Sequence, residues 1–327
     1  MLDAIIFFMW QVIKVFIVFG VVLGTVAYLT LAERKILGFI QIRYGPNRVG
    51  PWGLFQPIAD GIKLFFKEEV DVTMATRPVY WIAPVIMVTC ALIPFAVIPF
   101  GPGMYVTDIN VGLLYLFAIS SLGVYGVVLA GWSSNSKYPL LGGIRSSAQM
   151  ISYELAAGVA VIGIVMHAGT LSLVRIVEAQ QSVVIENWFI VKQPIGFLIF
   201  LVAGFAEIGR TPFDLIECEN ELTCGYMTEY SSMKFALFYL SEYAHLLFMS
   251  TLIVTLYLGG WQGPLLPGVI WFAFKTGLLV FFFIWVRGTY PRVRYDQLMA
   301  LGWKVLLPLA LLNVLITPVS MKLFGDF

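Results

Sequence analysis

From Ala4 to Ala32 the chain carries a single charged residue, Lys14. A bilayer helix needs about 20 apolar residues, so this run is long enough to span. Inside hydrocarbon every backbone N–H and C=O must be bonded internally, which leaves such a run little choice but a helix. Further candidates are roughly Val79–Phe100, Ile109–Trp132, Ala148–His167, Ile195–Ala206, Phe235–Gly259, Val269–Arg287 and Leu298–Met321. The fifth holds only about a dozen apolar residues before Glu207, so it is expected to be short, tilted or extended by the following turn. Composition agrees: of 327 residues, 60% are hydrophobic and 12% charged, where a soluble domain is about a quarter charged. The expected fold is all-α, a polytopic membrane protein with about eight transmembrane helices. No repeat or linker divides it, so residues 1–327 are read as one membrane domain.

The N-terminus has Asp3 rather than a basic cluster, and its apolar run exceeds a signal peptide's, so it reads as the first span. With the N-terminus outside, the inner segments 33–78, 133–147, 207–234 and 288–297 collect most of the Lys and Arg, and the outer ones hold Arg175, Lys192 and Lys322. The positive-inside rule then puts both termini outside. Lys14 and Lys275 lie near the outer ends of spans and read as structural, with tips able to reach the surface. Between Trp52 and Lys67, Leu54, Phe55, Ile58, Ile62, Phe65 and Phe66 recur at near-helical spacing, and Asp60, Lys63 and Lys67 take the other side. This pattern predicts an amphipathic helix lying in the interface. A net charge of +1 points to no nucleic acid. Cys90, Cys218, Cys224, His167 and His245 match no metal or disulfide pattern, so no metal site is expected.

Ionisable groups in a span cost ~2.5–3.5 kcal/mol at the helix centre and usually face a bundle interior or wet cavity. Here Glu154, Glu207 and Glu242 fall in the inner halves of three consecutive spans, with His245 one turn after Glu242. Each taken alone could be a buried structural pair; three together suit proton movement, because burial favours a neutral carboxyl and a nearby charge can switch it. Glu207, Asp214, Glu217, Glu219, Glu221 and Glu229 then crowd one inner segment against a single Arg210. Interleaved Phe213, Leu215, Ile216 and Leu222 suggest partial burial. Arg34, Lys35, Arg287, Arg292 and Arg294 are available as partners, or as plain inner-face anchors. A pairing of Glu207 with Arg210 is expected. On these residues alone a proton relay and a stand-alone ion or proton transporter fit equally well, although no repeated half is present.

Several strings settle that balance by resemblance. ERKILGFIQIRYGPNRVGPWGLFQPIADGIKLFFKE (Glu33–Glu68), GWSSNSKYPLLGGIRSSAQMISYE (Gly131–Glu154), EIGRTPFDLIECENEL and EYSSMKFALFYLSEY within Glu207–Tyr243, GGWQGP (Gly259–Pro264) and PRVRYDQLMALGWK (Pro291–Lys304) lie in order along the chain. They resemble the H subunit of respiratory complex I, whose mitochondrial counterpart is NADH dehydrogenase subunit 1. Related subunits occur in membrane-bound hydrogenases; the long third inner loop favours the quinone-reducing branch.

The resemblance implies a subunit of a proton-pumping NADH:quinone oxidoreductase in a bacterial plasma membrane. It would form the membrane part of a chamber for ubiquinone or menaquinone. It would hold no redox centre itself; FMN and iron–sulfur clusters would sit in peripheral subunits, and small and antiporter-like membrane subunits would adjoin it. On that analogy Arg34, Asp60, Lys63, Phe213 and Arg287 line the chamber. Glu154, Glu207, Glu217, Glu219, Glu221, Glu229 and Glu242 carry the proton relay. Arg210, Arg292 and Arg294 balance charge or dock peripheral subunits, and the acidic loop is the element that moves. The chain departs from the family at Cys218 and Cys224, and Leu113–Leu129 lacks the third-span carboxylate that some members carry.

Overall fold

The structure, a computed structural model, describes residues 2–70, 72–181, 187–214, 225–264 and 266–324. The first helix, α1 (Leu2–Ile40), has 39 residues and at 1.5 Å per residue is about 58 Å long. That exceeds the roughly 30 Å hydrocarbon core. Glu33, Arg34 and Lys35 therefore lie on a continuing helix, not in the loop the sequence suggested. The amphipathic segment is helical as expected: α2 spans Gln56–Phe66 and buries none of its residues. Its apolar Ile58, Ile62, Phe65 and Phe66 are all more than half exposed.

Next come α3 (Arg77–Leu92), α4 (Gly112–Ser133) and α5 (Lys137–Ala168). Pro94 sits in the 3-10 turn Ile93–Ala96 that ends α3, where its missing N–H stops the helix. The start of α5 precedes the expected Ala148 by more than two turns, so most of the segment read as an inner loop is helix. Pro139 lies in its first turn, where a proline costs little. Gly142 then lets the helix touch another stretch of backbone: a Cβ there would lie 2.8 Å from the Gly225 Cα. Gly142→Val is accordingly expected to destabilise the protein by about 1–3 kcal/mol, read as a lower thermal midpoint of the purified complex.

Two short helices, α6 (Leu173–Ala179) and α7 (Phe189–Lys192), precede α8 (Pro194–Ile208), a 15-residue helix where the short fifth span is expected. The rest is α9 (Ser232–Tyr257), α10 (Gly268–Thr289), α11 (Tyr295–Ala300) and α12 (Leu307–Phe324), the last two joined by a π-helical stretch, Leu301–Leu306. Among the described residues seven helices, counting α11–α12 as one, are long and apolar enough to cross a membrane; α8 is shorter.

Burial identifies the axis. In α9, 72% of the most apolar window is buried inside the protein, against 22% for α1 and for α11–α12. The outer helices show Phe8, Phe16 and Leu315 to the surroundings, as expected where lipid is the solvent. Because α9 is surrounded by protein, any ionisable group on it must find a partner or a cavity. At one end of the bundle Thr76 N–H donates to Ser133 O, and Ser133 meets the Tyr230 hydroxyl. At the far end Lys275 is buried rather than reaching the surface. Its Nζ donates to the carbonyls of Leu258, Gly260 and Gln262 and lies 4.0 Å from the Trp188 ring centre. It is a structural ammonium, fully used by the loop it gathers.

Candidate functional site

Gly209 ends α8 with φ 71°, a left-handed conformation that glycine adopts without a Cβ clash. The chain therefore leaves the helix axis there, and Glu207 and Arg210 part company. Two bonds from Gln149 fix the turn: its Nε2 donates to Ala206 O at 2.7 Å and Phe213 O at 2.9 Å. Val293 N–H donates to Pro212 O at 2.9 Å from the other side. The expected Glu207–Arg210 pair is thus not formed.

Arg210, 5% exposed, instead bridges Glu33 of α1 and Glu242 of α9, the latter at 2.9 Å. Glu33 also accepts from Arg287 of α10. Two carboxylates and two guanidinium groups from four elements make a tetrad of balanced formal charge, buried at Glu33 and Arg210 and half-buried at Glu242 and Arg287. Burial by itself disfavours the Arg210 charge, but the Glu242 and Glu33 carboxylates more than offset it and hold its pKa well above the ordinary value. The guanidinium carbon lies 4.3 Å from the ring centre of Tyr243, a cation–π contact.

The second group lies on α4, α5, α8 and α9. Ser120 Oγ donates to Glu207 Oε1 at 2.5 Å, and His245 Nε2 is 3.5 Å from that oxygen. The neighbouring Ser121 donates to Glu154 Oε1. A cavity of about 50 Å³ lined by Ser120, Glu207, Ser241, Glu242 and His245 separates this group from the tetrad. Its walls are otherwise mostly apolar, with Met87, Ala91, Met150 and Ile208 among them, and it is larger than the ~10–15 Å³ one water requires. Glu242 belongs to both groups: one oxygen meets Arg210, and its residue lines the cavity.

A larger cavity, about 550 Å³, opens between α1, α2 and α9. Val26, Ala27, Leu64, Phe235 and Leu240 supply apolar walls; Arg34, Asp60, Lys63 and Lys67 supply charge. Arg34 and Asp60 pair at 2.6 Å, and Gln56 donates to the other Asp60 oxygen at 2.8 Å. The size falls in the range of small-molecule sites. Tyr243 lines this cavity on one face and stacks on Arg210 with its ring, so it is the wall between cavity and tetrad.

The residues singled out from sequence therefore divide. Arg34, Asp60 and Lys63 share the large cavity. Arg210, Arg287 and Glu242 join in the tetrad, and Glu154 and Glu207 in the serine-linked group. Phe213 lies elsewhere, in a groove of about 370 Å³ between α8 and α10. Glu229 is half-buried, and its carbonyl accepts from the Tyr80 hydroxyl at 2.6 Å. Arg294 is exposed, 3.9 Å from an equally exposed Asp296, a pair worth little; Arg292 is half-buried near it. Glu217, Glu219 and Glu221, with Cys218 and Cys224, lie outside the described residues. Among the described residues no three His, Cys, Asp or Glu side chains group as metal ligands. Sequence reasoning missed Glu33, Gln149, Ser120, Ser121 and Tyr243. Glu33 had a signal: Ile36 and Leu37 continue the apolar period of α1 beyond it.

Fold and site together define an all-α polytopic membrane protein whose buried ionisable groups run side by side from a lateral cavity into the bundle. The family described as NADH dehydrogenase matches residues 13–318. The chain is 56% identical over 315 residues to the NADH-quinone oxidoreductase H subunit of Syntrophotalea carbinolica, covering 94% of each. It is 53% identical over 339 residues to the first of the numbered H subunits of Geobacter sulfurreducens, covering 97% of each. With the H subunit of Rhodospirillum rubrum it shares 54% over 302 residues, 90% of this chain and 89% of the relative. The chain belongs to the family of NADH-quinone oxidoreductase H subunits.

Proposed function

We propose that this chain is the membrane subunit of a proton-pumping NADH-quinone oxidoreductase that forms the membrane part of the quinone chamber and couples quinone reduction to proton movement. The quinone, ubiquinone or menaquinone, is the substrate of the assembly. The cavity between α1, α2 and α9 suits it: the apolar walls take an isoprenoid tail, and the exposed apolar side of α2 suits a lipid surface at the entrance. Electrons come from FMN and iron–sulfur clusters of peripheral subunits, which Arg292 and Arg294 help to dock. The basic end of the bundle faces the interior of a bacterial cell, with both termini outside.

The observation that carries the reading is the shared wall at Tyr243. Negative charge arising in the cavity during quinone reduction acts through one side chain's thickness on a tetrad whose charges cancel. A proton taken up by Glu33 or Glu242 leaves the tetrad with a net positive charge and weakens that carboxyl's hold on Arg210. Glu242 is then free to exchange protons, through the small cavity, with Glu207 and His245. Glu154 is the last carboxylate of this path; its partner Ser121 is exposed on the chain's surface. Protons or charge pass there to the small and antiporter-like membrane subunits. Glu217, Glu219, Glu221 and Glu229 bias the same switch, the acidic segment being the two-state element that coupling requires.

The cavity assignment is tested by filling it. Ala236→Trp and Ala27→Trp, both on its lining, should raise the KM of a short-tailed quinone by about tenfold, a typical steric effect in an apolar pocket. An unchanged KM in both assembled variants would remove the quinone from this cavity.

A further inference from the structure

Two serines of α4, a span that carries no carboxylate between Leu113 and Leu129, both touch relay groups with their hydroxyls. Ser120 Oγ donates to Glu207 at 2.5 Å, and Ser121 Oγ donates to Glu154. They are consecutive, so one turn of one helix holds both carboxyls in register. Ser121 has a second acceptor: its Oγ also lies 2.9 Å from the carbonyl of Phe117. A hydroxyl has a single hydrogen and two lone pairs. It cannot donate to Glu154 and to Phe117 at once.

We propose that Ser120 and Ser121 are the hydroxyl bridge between Glu207 and Glu154, with Ser121 a two-position rotor set by the protonation of Glu154. The inference rests on the relay reading given above. With Glu154 ionised, the Ser121 hydrogen points at its carboxylate. When Glu154 carries the proton, the carboxyl donates to the Ser121 oxygen, and the Ser121 hydrogen turns to the Phe117 carbonyl. The switch moves one hydrogen and no heavy atom. A proton crosses when each serine oxygen accepts from one side as its own hydrogen leaves on the other, with water carrying it between the two hydroxyls, so each serine ends neutral and one carboxyl gains what the other loses. Ser120 also lines the small cavity, so water there can feed the bridge from the Glu242 side.

The test uses the whole complex in sealed vesicles, with proton translocation per NADH oxidised measured in H2O and in D2O. The variants are S120A/S121A, S120T/S121T and S120C/S121C, with E154Q alongside. Threonine keeps both hydroxyls; cysteine keeps the size of serine but offers only a weak donor. The alanine and cysteine pairs should lower translocation about tenfold, less than the roughly hundredfold or more of a positioned proton-transfer group, because water can substitute in part. Their solvent isotope effect should differ from that of the parent, and the threonine pair should match the parent. The cysteine pair carries the test if the alanine pair fails to assemble. If the cysteine and alanine pairs pump like the parent while E154Q does not, the bridge is refuted and the relay stands. Loss in the threonine pair equal to that in the others would assign the serines to packing and also refute it. Unimpaired pumping in E154Q would end the path before Glu154 and refute the bridge with it.

Discussion

Arg210→Leu should destabilise the bundle by about 3–5 kcal/mol, the typical cost of removing one partner from a buried charge pair. Here the cost falls at the upper end, because Glu33 and Glu242 both lose their shared cation and both lie in the protein interior. Glu33 keeps Arg287, whereas Glu242 keeps no other cation that the structure places on it. Arg210→Lys should recover only part of the loss: an ammonium cannot fork between two carboxylates and also lie flat on Tyr243. Adding Glu242→Gln to Arg210→Leu should restore more stability than Lys does, since it removes the stranded charge. The measurement is the thermal midpoint and yield of the assembled complex. Equal midpoints for Arg210→Leu and the parent would show that the tetrad does not hold α1, α9 and the turn after α8 together. A guanidinium whose folded pKa is raised contributes stability that is lost only as pH rises through that value. For Arg210 this lies above any working pH, so Arg210 itself brings no pH dependence near neutrality.

Glu154→Gln is expected to lower proton translocation by about a hundredfold or more, the lower range for deleting a proton-transfer group. Its effect on stability should be small, within about 0.5 kcal/mol. The amide oxygen can still accept the Ser121 hydrogen bond, and the site borders the outside of the chain. Glutamine keeps shape and hydrogen bond and removes only the exchangeable proton. A complex that assembles normally and oxidises NADH yet moves few protons is the expected phenotype. A normal proton yield from an assembled Glu154→Gln complex would end the path before Glu154.

The helices were legible because their cause is local. Lipid leaves an apolar run of twenty residues little alternative, and even the shortness of α8 shows in its count before Glu207. The amphipathic α2 was legible from the spacing of Ile58, Ile62, Phe65 and Phe66. The early start of α5 was not: Lys137–Ser147 looks polar and glycine-rich, and only packing shows why Gly142 is there. Which charges pair was also hidden. Glu207 and Arg210 are three residues apart and looked like a helical pair, but Gly209 turns the chain between them. Glu33 sits in a basic string that reads as an anchor, and only the meeting of α1 with α10 makes it the centre of the tetrad. Ser120 and Ser121 carry no sequence signal beyond two hydroxyls in an apolar span. Phe213 was placed in the chamber by resemblance, and its groove lies on another side of the bundle.

Coupling through these carboxylates is tested most directly by counting protons per electron. The complex would be reconstituted in sealed vesicles, and proton translocation and quinone reduction would be followed together for the parent, Glu207→Gln and Glu217→Gln. Glu207→Gln should lower the protons moved per quinone reduced, and Glu217→Gln should lower either that ratio or the rate of reduction. Unchanged reduction and an unchanged ratio in both variants would contradict the coupling role, leaving the buried carboxylates as structural pairs.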